Sequence, residues 1–348
     1  AAALLGHAPG LCMQPPRAAW GLDRLVLDDR LGEESIRKLL ESGGSQLPKL
    51  AMGSRRSAVQ KPQSCPIVSL PGGVGQGLAV GVGLAIGQAH LASSYDQPQN
   101  DLFKHQVFVL CRAGALLSGV ASEASSLAGH LQLASLVVVC CDDGQLASED
   151  TASRFAAYGW NVVKVSLDDD AASLPKALHP DGERPTLLLV RAEIGFQAAA
   201  MDAAACSASV RTGTAIAEAW QVRLGVFGES SKDEHTEILR RFSGELPEKW
   251  RDGLPEYQAG ERAQATRQYG AKILGCLVSA VPEMMGGSAD LTGSNLTNQG
   301  HLKDFQHKSL KGRYLRFGVR EHAMFGICTG LATYGGVIPF FGKVLKFF

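Results

Sequence analysis

The sequence has no surplus charge of either sign: Lys+Arg and Asp+Glu both number 34, a formal net charge of +0. No overall field therefore draws nucleic acid or an anionic membrane towards it, and neither is expected as a partner. CxxC pairs are also missing. Its eight cysteines (Cys12, Cys65, Cys111, Cys140, Cys141, Cys206, Cys276 and Cys328) are scattered, several inside apolar runs. That pattern reads as reduced, buried thiols of an intracellular protein rather than as disulfides or a zinc site. No apolar stretch reads as reaching the roughly 18–20 residues that cross a bilayer. The opening AAALLGHAPG lacks the cationic segment ahead of an apolar core that marks a secretory signal. The expected location is the cytosol or an organelle such as a plastid or mitochondrion, because a processed organelle protein would read the same way.

What is present is enough for two domains: 348 residues, 45% of them hydrophobic. From residue 107 the signals alternate. Val107–Leu110 reads as a strand, Ser118–His130 as a small-residue helix ending in Gly129, and Leu136–Cys141 as an apolar strand closing in Asp142-Asp143-Gly144. Thr151–Trp160 then reads as helix, with Asn161–Val165 and Pro185–Ala192 as strands. Strands apolar on both faces, separated by helices, predict a parallel sheet covered on both sides. Before them, GGVGQGLAVGVGLAIGQAHLASSY (Gly72–Tyr95) runs from a glycine-rich turn into a long helix. Its free N–H groups could cradle a phosphate, or its glycines could let the helix pack closely on the sheet. From Cys206 to about Tyr257 the pattern is charged and irregular and reads as a helical and extended connector. A second α/β unit follows: helix from about Ala263, glycine-rich Gly286–Asn295, strand Tyr314–Val319, helix Arg320–Gly335 and a strand-like run Val337–Phe348.

Ligands of open α/β sheets collect beyond the carboxyl ends of the strands. Here VFVLCRAGALLSG (residues 107–119) empties into Cys111-Arg112-Ala113-Gly114, which offers one cation and no carboxylate.

ASEASSLAGH, ERAQATR, GGSADLTGSN and RFGVREHAM, together with AAYGW and ELPEKW…LPEY, resemble the transketolase family over nearly everything from Leu70 to the last residue, in the family's order. Members of that family move two-carbon ketol units between sugar phosphates in the pentose phosphate pathway, using thiamine diphosphate. The resemblance implies an α/β thiamine-diphosphate-binding fold with parallel sheets flanked by helices. It implies a diphosphate-binding domain over residues 1–205 with a reduced N-terminal part, a connector over 206–257, and the start of a truncated pyrimidine-binding domain over 258–348.

The resemblance also implies a site, with the cofactor between domains of two subunits. The family's Gly-Asp-Gly, whose aspartate holds Mg²⁺ or Ca²⁺, falls on Arg112-Ala113-Gly114, and a following glutamate falls on Ser118. The aspartate is thus Ala113. The second metal ligand falls on Asp143, or on Gly144 if the count shifts by one. Hard cations need oxygen donors, and one carboxylate alone is a poor site. Arg112 could pair directly with a phosphate, or face solvent or a neighbouring carboxylate. The cofactor-contacting loop persists as Gly72, Gly75, Gln76 and Gly77, with Gly114 and Asp290 as further cofactor positions. Glu321 takes the place of the glutamate that hydrogen-bonds the pyrimidine ring, although a carboxylate there also suits a helix start. Arg267 and Ser294 match the grip on the sugar's phosphate, and His7 faintly matches the first catalytic histidine. Three further histidine motifs have no counterpart, and Val344 stands where a ring-stacking phenylalanine is expected, with Phe347 at the next aromatic position.

Three functions compete: an active transketolase holding thiamine diphosphate with Mg²⁺ or Ca²⁺, a pseudoenzyme serving as a structural or assembly subunit, and a sugar-phosphate-binding regulator. The damaged metal anchor favours the pseudoenzyme, with no cofactor bound and a protein partner or second copy covering the incomplete second domain.

Overall fold

The structure, a computed structural model, describes residues 24–27, 67–69, 73–142, 149–166, 173–180, 182–191 and 203–343. Six parallel strands form the first sheet: β1 (Arg24–Leu27), β2 (Ile67–Ser69), β3 (Val107–Arg112), β4 (Leu136–Asp142), β5 (Asn161–Ser166) and β6 (Thr186–Arg191). Their order is β2-β1-β3-β4-β6-β5. β3 and β4 are apolar on both faces, as an all-parallel sheet requires. Strand β3 runs two residues further than its apolar stretch predicts, because Cys111 pairs with Cys140 and Arg112 with Cys141.

Helix boundaries shift for similar reasons. α2 spans Gly119–Leu131, and Gly129 lies within it rather than ending it. A Cβ at Gly129 would stand 1.9 Å from the Tyr158 carbonyl oxygen, so this glycine serves close packing. The helix ends instead at Gln132, in the left-handed region. α3 stops at Ala157 after starting at Thr151, and Gly159 (φ 89°) turns the chain into β5. A short α4 (Leu174–Leu178) precedes β6.

The stretch 206–257, read as a helical and extended connector, is mostly helical. α5 (Ala203–Ser230) and α6 (Lys232–Ser243) fill most of that stretch. Ala217 is buried, Trp220, Leu224, Phe227 and Ile238 belong to the main core, and the Trp220 indole N–H donates to the Leu102 carbonyl at 2.7 Å.

The second unit contains α7 (Thr266–Ala280), β7 (Met284–Ser288), the one-turn α8 (Thr292–Asn295), β8 (Tyr314–Arg316), α9 (Glu321–Tyr334) and β9 (Ile338–Gly342). Its parallel sheet runs β8-β7-β9. The glycine-rich stretch Gly286–Asn295 begins as the central strand. Cβ atoms at Gly286 and Gly287 would stand 1.7 Å from the Phe340 oxygen and 1.8 Å from the Leu315 oxygen. Only glycine admits both neighbouring strands so closely.

The long helix, α1 (Gln76–Tyr95), sits at the centre of the molecule. It is long and apolar enough to span a bilayer by length and composition, which corrects the expectation that no stretch reaches that size. Here, however, most of it is buried in protein. Gly81 meets the sheet, at Val109. Gly83 and Gly87 face α9 of the second unit instead, so the glycines bring two helices together across the units. Fully burying Leu78, Leu84 and Ile86 stabilises this arrangement by about 1.5–3 kcal/mol each.

His90, on α1, reaches the second unit as well: its Nδ1 lies 3.0 Å from the Leu310 carbonyl oxygen, to which the neutral ring donates. Burial pushes its pKa down to about 4, against the smaller opposing effect of that hydrogen bond and with some repulsion from Arg241 and Arg313. A histidine depressed in the fold contributes stability that is present above pH ~6.5 and lost as pH falls towards its folded value. Between pH 7 and 5 the parent should therefore lose about 2 kcal/mol more than a His90→Gln variant, whose amide does not titrate. Urea midpoints at the two pH values check this. Asp96, raised to about 6 by burial, works in the opposite direction and is common to both proteins.

Candidate functional site

The carboxyl end of β3, the loop before α1 with that helix's first residues, and the N-termini of α2 and α9 hold Arg112, Ala113, Gly114, Gly75, Gln76, Gly77, Ser118 and Glu321. After Arg112 the chain closes into a 3-10 turn, Ala113–Leu117. Ser118 caps α2: its hydroxyl accepts from the Ala121 N–H at 3.3 Å and donates to the Ala115 carbonyl at 3.0 Å. Arg154 braces the turn, giving Nη2 to the Leu116 carbonyl and Nη1 to the Ser122 hydroxyl, each at 2.9 Å. Arg112 and Gly114 are exposed, whereas Ala113 is partly buried and packs against the apolar core.

The loop before α1 lies against this turn. Gly75 has φ 91°, and a Cβ there would stand 1.8 Å from Ser118 Oγ and 2.9 Å from the Ala115 oxygen. Its glycine is thus required twice, by conformation and by space. Gly75 and Gly77 are buried and Gln76 is exposed. Gly72, Asp143 and His7 lie outside the described residues.

Two bonds seat the second unit on this edge. Glu123 of α2 accepts from the Ala323 N–H in the first turn of α9 at 2.8 Å, where a helix N-terminus favours an anion. Arg320 donates Nη2 to the Ser126 hydroxyl at 3.0 Å and Nη1 to the Phe317 carbonyl at 2.8 Å. The sequence reading gave Glu123 no role. Its place one turn into α2 was visible, but the N–H it meets lies 200 residues away.

Glu321 is the first residue of α9, and its carboxylate pairs with the Lys343 ammonium just past β9. That ammonium holds the Glu321 carboxyl below the usual range, aided by the residue's own backbone N–H and by His322. Asp290 is exposed with φ 54°. Arg267 and Ser294 are exposed on α7 and α8. Next to Ser294 in the chain, the Asn295 amide donates to Ser288 Oγ at 2.6 Å and to the Gly342 carbonyl at 2.9 Å.

The chain's sequence matches two families. Residues 62–210 match "Transketolase, thiamine diphosphate binding domain", and residues 262–348 match "Transketolase, pyrimidine binding domain". The chain belongs to the transketolase family. A probable transketolase from Schizosaccharomyces pombe is 35% identical over 328 aligned positions, spanning 79% of this chain and 48% of that protein. Transketolase 1 of Saccharomyces cerevisiae is 30% identical over 411 positions, spanning 99% of this chain and 60% of that one. Among solved structures, transketolase from Leishmania mexicana superposes with a TM-score of 0.78 at 29% identity, and a transketolase mutant from Pichia stipitis with 0.81 at 29%. The chain spans about half the length of the relatives it matches.

Transketolases are thiamine diphosphate-dependent, so the donors present here can be tested against that group. A diphosphate with its divalent ion needs oxygen ligands beside the β3 turn. The turn supplies a methyl packed against the core, a cap hydroxyl already bonded to the chain, and an exposed guanidinium. Among the described residues, no three His, Cys, Asp or Glu side chains are placed to hold a metal ion. The described donor set does not fit the metal–diphosphate half of the cofactor.

Proposed function

We propose that this chain is a non-catalytic member of the transketolase family that serves as a structural or assembly subunit of a larger complex. One observation carries the reading: at the end of β3, where the resemblance calls for a metal-binding aspartate, Ala113 turns a methyl onto the core. The protein's part in cofactor chemistry is to bind and orient the reactive group, and an alanine supplies no charge to do so. The contacts that join the two units, by contrast, are intact: Glu123 to Ala323, Arg320 to Ser126, and the glycines of α1 against α9.

A partner chain or second copy would cover the apolar side chains left exposed on the second unit. Val319 is 73% exposed and Phe325 52%. Single exposed apolar residues are ordinary, but several on one unit suit an interface. The reading predicts that the chain, purified from its own cells, arrives with stoichiometric protein partners and takes up no thiamine diphosphate when Mg²⁺ is added. Native mass spectrometry reads both at once. A bound cofactor with ketol transfer between sugar phosphates would overturn it.

A further inference from the structure

We propose that Lys343 closes the aminopyrimidine seat of this chain by taking the Glu321 carboxylate as its ion-pair partner. The inference rests on the non-catalytic reading above and concerns the other end of the cofactor, remote from the diphosphate.

The two ends of the pair are positioned independently. Glu321 starts α9, whose first turn is fixed by Glu123 at the Ala323 N–H and by Arg320 at Ser126. Lys343 leaves β9 at Gly342, whose carbonyl accepts from Asn295 Nδ2 at 2.9 Å and Ser288 Oγ at 3.2 Å. Gly342 is also held in register opposite Ser288. The periodicities then bring the side chains together. Glu321 and Phe325 stand four apart on α9 and share a face, while Phe341 and Lys343 stand two apart at the end of β9. Phe325 and Phe341 meet edge to face with centroids 4.7 Å apart, and Glu321 meets Lys343 one step along the same seam. The aromatic contact sets the spacing at which the ammonium reaches the carboxylate.

A pyrimidine ring nitrogen and a carboxylate are both hydrogen-bond acceptors, so they can join only through a shared proton. A carboxylate paired with an ammonium holds no such proton. To admit a ring, Lys343 would have to withdraw and Glu321 to take up a proton, leaving the ammonium without its partner. Both changes oppose binding.

The test uses the full chain with ¹³C-labelled glutamate, Glu321→Gln serving to assign the resonance, and 4-amino-2-methylpyrimidine as a probe without phosphate or metal. Lys343→Thr should raise the Glu321 titration midpoint, while Lys343→Arg leaves it depressed. Lys343→Thr should also bind the probe about tenfold or more tightly than the parent. Lys343→Met, which keeps the apolar stem, stands in if the threonine variant does not fold. An unmoved midpoint, or a parent that binds the probe as tightly as the variant, overturns the proposal. Because the probe carries no diphosphate, this outcome is separate from failure of the non-catalytic reading, which shows as metal-dependent uptake of thiamine diphosphate by the parent.

Discussion

Gly330→Ala should lower stability by about 3 kcal/mol, at the upper end of what overpacking costs. A Cβ at Gly330 would stand 2.1 Å from the Val80 carbonyl oxygen and 2.9 Å from Gly83 Cα. At Gly83 it would stand 2.1 Å from the Ile327 oxygen and 2.8 Å from Gly330 Cα. These are backbone atoms of a helix, so no rotamer change can relieve the clash, and α1 and α9 must separate. Gly87→Ala should cost less, because the atoms it meets, at 3.0 Å, belong to the Tyr334 ring and can yield. Gly83→Ala combined with Gly330→Ala should cost less than the sum of the two, since the separation caused by one makes room for the other. Gly225→Ala and Gly270→Ala are the controls of opposite sign. Both positions are exposed on helices with nothing within 4 Å of the new methyl, so each should stabilise by up to about 1 kcal/mol. Urea unfolding followed by circular dichroism reads the whole series. A neutral Gly330→Ala would mean that the two units are not joined through this helix pair.

The second large effect lies between α6 and β7. Glu283 is only 4% exposed and pairs bidentately with Arg240, Oε1 and Oε2 each 2.9 Å from a guanidinium nitrogen. Arg240 also holds Glu237, at 2.7 and 2.8 Å. Arg240→Met should cost about 3–5 kcal/mol, because it strands a buried carboxylate. Glu283→Gln should cost less, since Arg240 keeps Glu237 and the amide oxygen can still accept a bond. Combining Arg240→Met with Glu283→Leu should recover much of the loss, as replacing a whole buried pair often does. Thermal or urea midpoints decide the order. Equal losses for the two single variants would contradict this view of the pair.

The parallel architecture is legible in the sequence because strands buried on both faces, such as Leu136–Cys141, become continuous apolar runs. The central strand of the second sheet is not. Its Gly286 and Gly287 are chosen for close approach to neighbouring strands, and glycine carries no strand signal of its own. The helical part of the 206–257 connector is legible in Ala217, Trp220, Leu224 and Phe227, which repeat at steps of three and four. At the site, Ala113 is conspicuous only once the flanking motif fixes the register. The Lys343–Glu321 pair cannot be read from sequence at all, because it depends on where a strand end returns to a helix start.

The most direct test of the central claim is calorimetric titration of the full chain with thiamine diphosphate in millimolar Mg²⁺, repeated with the metal chelated. With Ala113 in the β3 turn, the two titrations should be indistinguishable, with no saturable heat. Micromolar binding that vanishes with the metal would contradict the account.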